Sequence, residues 1–159
     1  MLRCFEQVEI LSSSLIYHCL GVGELPIVLV EELSKSRTGK HAVRKIAFIV
    51  SKDGGVRRVD CSSGEKGVKT YARGWSRICS VELDENEYAV QVHLVKNLYG
   101  RVKGYIEVYD HNGNMVFRAV YRKLKIRRSH GHPRYAWIVK RVVEEMKLPV
   151  KRYNLGVVV

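Results

Sequence analysis

Acidic residues are scarce in this chain of 159 residues, with 16 Asp and Glu against 28 Lys and Arg and a formal charge of +12 when His is neutral. So large an excess points to a polyanion, nucleic acid first, the alternative being a generally basic surface without such a partner. Cysteine is limited to Cys4, Cys19, Cys61 and Cys79, none in a C-x-x-C pair. That spacing excludes the usual zinc ribbon or dithiol redox motif and suits reduced core thiols. Long apolar runs are missing too, since none approaches the roughly 20 residues that span a bilayer. The first residues, Met1 to Glu6, lack a signal peptide's charged and apolar regions. The expectation is a soluble cytoplasmic protein with no membrane partner.

What is present is enough for a globular core. With 46% of residues apolar, one compact unit near the ~150-residue domain prior is expected, divided into an N-terminal extension, 1–36, and a main unit, 42–159. Charge is distributed in blocks of −4 over 1–34, +9 over 35–77, −4 over 78–95 and +11 over 96–159. Alternating blocks predict one face that gathers cations, which is the footprint of a phosphate-binding surface.

Leu2, Phe5, Val8, Leu11, Leu15 and Cys19 recur at helical steps before Gly21, and Pro26 suits the first turn of a second helix reaching about Ser36. Ala42–Val50 is the most apolar interior stretch and fits either a buried strand or a helix. Lys52-Asp53-Gly54-Gly55 would serve the strand alternative as a hairpin turn. A short strand over Val56–Cys61 and a long exposed loop over Ser62–Gly74 follow. Lys69, Tyr71, Arg73 and Trp75 mix cations with aromatics there, as surfaces that track phosphates and stack bases do. Ile78–Leu83 alternates as a strand. Asp84 and Glu87 are spaced as a capping box, which favours a helix ending near Gly100 over the strand that Val90, Val92 and Leu94 would also permit.

Asp110-His111-Asn112-Gly113 separates two strand-like runs, Arg101–Tyr109 and Asn114–Ile126. A four-residue loop would pair Val108 with Met115 and Ile106 with Phe117, making one ribbon face apolar. The other face then carries Arg101, Lys103, Tyr105, Glu107, Val116, Arg118, Val120 and Arg122, and its four cations and one tyrosine suit a DNA groove or a backbone channel. A last helix opens at His132-Pro133 and turns Ile138, Val142 and Met146 inward.

From residue 42 this order reads helix, two strands, helix, two strands, helix, and the junction Ile46-Ala47-Phe48-Ile49-Val50-Ser51-Lys52-Asp53-Gly54-Gly55 resembles the motif of LAGLIDADG homing endonucleases. Phe48 matches the aromatic of variants such as LAYWFMDDGG, and Asp53 and Gly54 match the acid and glycine. Ser51 and Lys52 depart from the motif. The resemblance implies an α+β fold, an αββαββα-type unit with four antiparallel strands on helices, here behind two N-terminal helices. It further implies a homodimer in which Asp53 is catalytic and holds Mg²⁺ for DNA cleavage, with Gly54 closing the motif helix. Arg58 and the ribbon cations would contact the nucleic acid.

Two other functions fit the same residues. One is a non-catalytic binder of single-stranded DNA or RNA that uses the basic, aromatic sheet face and needs no cofactor. The other is a nickase in which His130 and His132 hold a metal beside a nucleophilic Tyr135.

Overall fold

The computed structural model describes residues 27–32, 42–59, 68–73, 76–97 and 99–156, with the backbone alone for 27–32, 42–45, 68–73 and 76–82. Ten strands and one α-helix occur among the described residues. Ile27–Glu32 (β1), Val68–Arg73 (β4) and Ser76–Glu82 (β5) form an antiparallel sheet in the order β1-β5-β4. The main sheet has seven strands: Ala42–Ser51 (β2), Val56–Arg58 (β3), Glu87–Lys96 (β6), Val102–Tyr109 (β7), Met115–Arg122 (β8), Lys125–Gly131 (β9) and Arg152–Asn154 (β10). Their order is β10-β9-β8-β7-β6-β2-β3, antiparallel except that β10 runs parallel to β9.

The helix α1 (Ala136–Met146) packs on one face of this sheet. Its Ile138, Val139, Val142 and Val143 are buried against Phe48, Val92, Ile106, Phe117, Tyr121 and Ile126. Arg141 donates from Nη2 to the Gly54 carbonyl at 3.1 Å, tying the helix to the β2–β3 turn. His132 accepts the Arg134 N–H on Nδ1 at 3.0 Å and so caps the Pro133–Tyr135 turn that leads into α1.

This architecture corrects the expected αββαββα unit. Ile46–Val50 is a strand, not a motif helix, and the run is uninterrupted because β2 is buried on both faces. Ile46, Phe48 and Val50 enter the helix-side core, while Ala47 and Ile49 join a second cluster with Val59, Leu83, Ala89 and Tyr109. A strand covered on both sides has no polar alternation to display. β6 replaces the helix expected after Asp84 for the same reason, since Ala89, Val90, Gln91 and Val92 are all buried. The capping pair does form hydrogen bonds, from Asp84 N to Glu87 Oε1 and from Asn86 N to Asp84 Oδ1, but they close a turn between strands. β1 lies where the second N-terminal helix was expected, and β4 lies inside the expected loop. The first N-terminal helix falls outside the described residues.

The β7–β8 ribbon forms with its two faces as expected, but its register differs. Val108 pairs with Phe117 and Ile106 with Ala119, two positions from the expected partners, with an irregularity at Val108/Tyr109. A slip of two residues preserves which side chains share a face. The expected second strand also stops early, at Arg122, where Lys123 and Leu124 turn the chain into β9 with φ of 53° and 62°.

Candidate nucleic-acid interface

Strand alternation sends every second residue of β6 to β10 away from α1, and the register lines those residues up in rows across the sheet. Val95, Lys103, Arg122, Lys125 and Arg152 form one row, each aligned with the next across adjacent strands. Four of its members are cations on four consecutive strands. Strand spacing of ~4.8 Å makes this line about 14 Å long. The neighbouring row is His93, Tyr105, Val120, Arg127 and Asn154, and a third begins Gln91, Glu107, Arg118 and His130. Like charges directly opposite on neighbouring strands destabilise a sheet. Among the described residues no carboxylate pairs with Lys103, Arg122, Lys125 or Arg152. An anion bound along the line would relieve their repulsion.

Beside this line stands a stack. The His93 imidazole lies parallel to the Tyr105 ring, 4.8 Å between centroids and 8° between planes. The Arg118 guanidinium lies 4.7 Å from the Tyr105 centroid, and its strand is on the other side of β7. Tyr105 is therefore covered by both neighbours, and the planar group that the stack offers on the β8 side is the Arg118 guanidinium. Arg118 is further held by Nη1 donating to Ser129 Oγ at 3.4 Å, while Ser129 Oγ donates to the Arg118 carbonyl at 3.2 Å. Such bonds hold the guanidinium over the ring and reduce the entropy lost when it meets an anion or a base. A depression of about 280 Å³ opens here, lined by His93, Val95, Lys103, Tyr105, Arg118 and Arg122 among others.

Glu107, directly opposite Arg118, is an acid on this face. It lies near the buried Tyr109 phenol. Burial first, and then the Glu107 charge, hold that phenol far above the ordinary tyrosine range, so Tyr109 stays neutral.

Of the residues expected to bind nucleic acid, Lys103, Tyr105, Arg118 and Arg122 share this face, and Arg101 lies at its lower end before β7. Arg58 does not join them: it is aligned with Phe48 on the opposite edge of the sheet. Lys69, Tyr71 and Arg73 are in β4 of the smaller sheet, with side chains outside the described set, and Trp75 is outside the described residues. Lys125, Arg127 and Arg152 complete the face and were missed in the sequence. The signal for them was the +11 charge of residues 96–159, but no glycine or asparagine marks the turn that brings β9 back.

Asp53 lies in an exposed turn and not at a helix end. Its Oδ1 accepts from Ser51 Oγ and from the Gly55 N–H at 3.0 Å, and Gly54 adopts φ 99° to close the turn. These bonds, Ser51 foremost, hold its carboxyl below the ordinary aspartate range. The residue expected to hold Mg²⁺ thus sits in a turn between two strands and not at the helix end that the resemblance implies. One oxygen of Asp53 is committed to the turn, and no group of three or more His, Cys, Asp or Glu side chains gathers among the described residues. His132 uses Nδ1 as a cap, which explains that residue without a metal.

Among the described residues no helix is long and apolar enough to cross a membrane. Comparison with protein-family models, curated proteins and solved structures finds no match to this chain.

Proposed function

We propose that this protein binds single-stranded nucleic acid on the part of its main sheet where β7 to β10 turn exposed cations away from α1. The observation that supports this is the line Lys103, Arg122, Lys125 and Arg152, four directly aligned cations beside the His93–Tyr105–Arg118 stack. Phosphates take the line, where each one neutralises a repulsion the sheet otherwise carries. Bases lie against the planar guanidinium of Arg118. Nothing in this arrangement reads a base pair.

Single strands are favoured over duplex by the position of the ribbon. A major groove of about 12 Å admits one helix or a two-stranded ribbon. Here β7 and β8 are interior strands, flanked by β6 and β9, and cannot project into a groove. A flexible strand can follow the sheet surface.

The test is binding of the purified protein to labelled single- and double-stranded DNA and to RNA over a salt series, with and without Mg²⁺, with products run on a denaturing gel. Single strands should bind more tightly than duplex and remain intact. For single strands the logarithm of the affinity falls by ~0.7 per phosphate contact against log salt, so Arg122→Ala with Lys125→Ala should flatten the slope by about 1.4. An unchanged slope would remove this face from the interface, and Mg²⁺-dependent cutting would overturn a purely binding role.

A further inference from the structure

We infer that the cavity at the lower end of the cation line receives one unstacked base of the bound strand. The inference rests on the proposed binding face and adds what the face alone does not supply, a site for a single nucleotide.

The cavity measures about 870 Å³, within the ~300–1,000 Å³ common for small-molecule sites. It shares Lys103 and Arg122 with the depression that holds the stack, so this aligned pair forms the sill between the two. Its interior is apolar, with Val102, Leu124, Leu148 and the ring of Tyr121. Cations mark the rim, where Arg101 and Lys123 join the sill pair, and among the described residues no acid lines it. An apolar slot with a cationic rim matches a nucleotide, whose flat base leaves water readily while its phosphate stays at the mouth.

Two further details favour a base over an aliphatic ligand. Asn97 lines the cavity, and its Oδ1 already accepts the N–H groups of Tyr99 at 2.9 Å and Arg101 at 3.0 Å. Those bonds assign the amide orientation and leave the Asn97 Nδ2 hydrogens as donors. Every base carries ring or carbonyl acceptors, so such a donor holds a base without selecting one. The opposite wall is pre-formed, because the Tyr121 hydroxyl donates to the Pro149 carbonyl at 2.7 Å and pins β8 to the chain after α1. A pre-formed slot spares the bound strand the cost of opening it.

The test uses a ~12-nucleotide oligothymidylate and its RNA counterpart, a length within the range one small domain occupies, each with a single 2-aminopurine placed at successive positions. In the wild-type protein one position should differ severalfold in emission from its neighbours. Leu148→Trp, which fills the slot, should abolish that difference while leaving the salt slope of binding intact. Asn97→Asp, which retains the acceptor for both backbone N–H groups and removes the donor, should reduce it and guards against misfolding of the larger substitution. Salt-dependent binding with uniform emission at every position overturns the base slot and leaves the binding face standing. Survival of the difference in both variants also overturns it. Absence of oligonucleotide binding refutes the binding face itself, and binding of a free nucleoside monophosphate without the oligonucleotide would mark a small-molecule site in place of a strand.

Discussion

Lys103 and Arg122 stand directly opposite each other on β7 and β8, and Arg122 is in turn directly opposite Lys125 on β9. A sheet selected for stability alone would place an acid at the middle position. Arg122→Glu should therefore stabilise the free protein by roughly 0.2–1 kcal/mol, the range of an opposite-charge cross-strand pair, while sharply weakening nucleic-acid binding. Denaturant midpoints and a binding titration on the same sample check both halves. Loss of stability on substitution would mean that the cations are held by contacts other than mutual repulsion.

Asp53 provides a pH signature. Its folded-state carboxyl is held below the ordinary range by Ser51 and Gly55, so its contribution is present above the unfolded-state value and is lost as pH falls through the folded-state value. Asp53→Asn should be less stable than wild type near neutral pH, with the gap closing on acidification. Urea unfolding from pH 7 down to acid measures this. Nucleic-acid affinity should not change, because the β2–β3 turn is remote from the cation line in the strand order.

Gly104 is where β6 and β7 approach closely. A Cβ there would fall 1.8 Å from the His93 carbonyl oxygen, so Gly104→Ala must push the strands apart and disturb the His93–Tyr105 stack. Destabilisation of about 1–3 kcal/mol is expected, as for other overpacked sites. Thermal unfolding reports the loss, and reduced single-strand affinity should accompany it.

The β8–β9 turn places Lys123 and Leu124 at φ of 53° and 62°, a region that costs an L-residue with a side chain roughly 1–2 kcal/mol and that Asn tolerates better. Lys123→Asn should raise the unfolding temperature without altering the fold. It also removes one rim cation of the cavity, so a slightly shallower salt dependence of binding is expected alongside.

Much of the candidate interface could be read from residues 101–122, because the alternation of buried and less buried residues over Val102–Val108 and Phe117–Arg122 survives in the sequence. Ile106, Val108, Phe117 and Ala119 are buried while Lys103 and Arg122 are exposed. The exact partners were not legible, since the irregularity at Val108/Tyr109 shifts the pairing. The strand character of β2 was hidden by burial on both faces, and so the resemblance to a helical motif at Ile46–Gly55 misdirected the fold. The hydrogen bonds of the Asp84 and Glu87 carboxylates, from Asn86 N and Asp84 N, follow a capping pattern that is compatible with either a helix or a strand after it. Those two contacts are satisfied in a turn as well as in a helix.

By itself the sequence determined the positive charge of the 96–159 segment, the two faces of the β7–β8 ribbon and the helix after His132-Pro133, because charge, period-two alternation and a proline start are local properties. Only the tertiary structure decided that β9 and β10 lie beside that ribbon, bringing Lys125 and Arg152 into line with Lys103 and Arg122. The reason is physical. A turn of two residues with positive φ but no glycine carries no local mark, and the parallel return of β10 depends on α1 burying its apolar side on the same sheet.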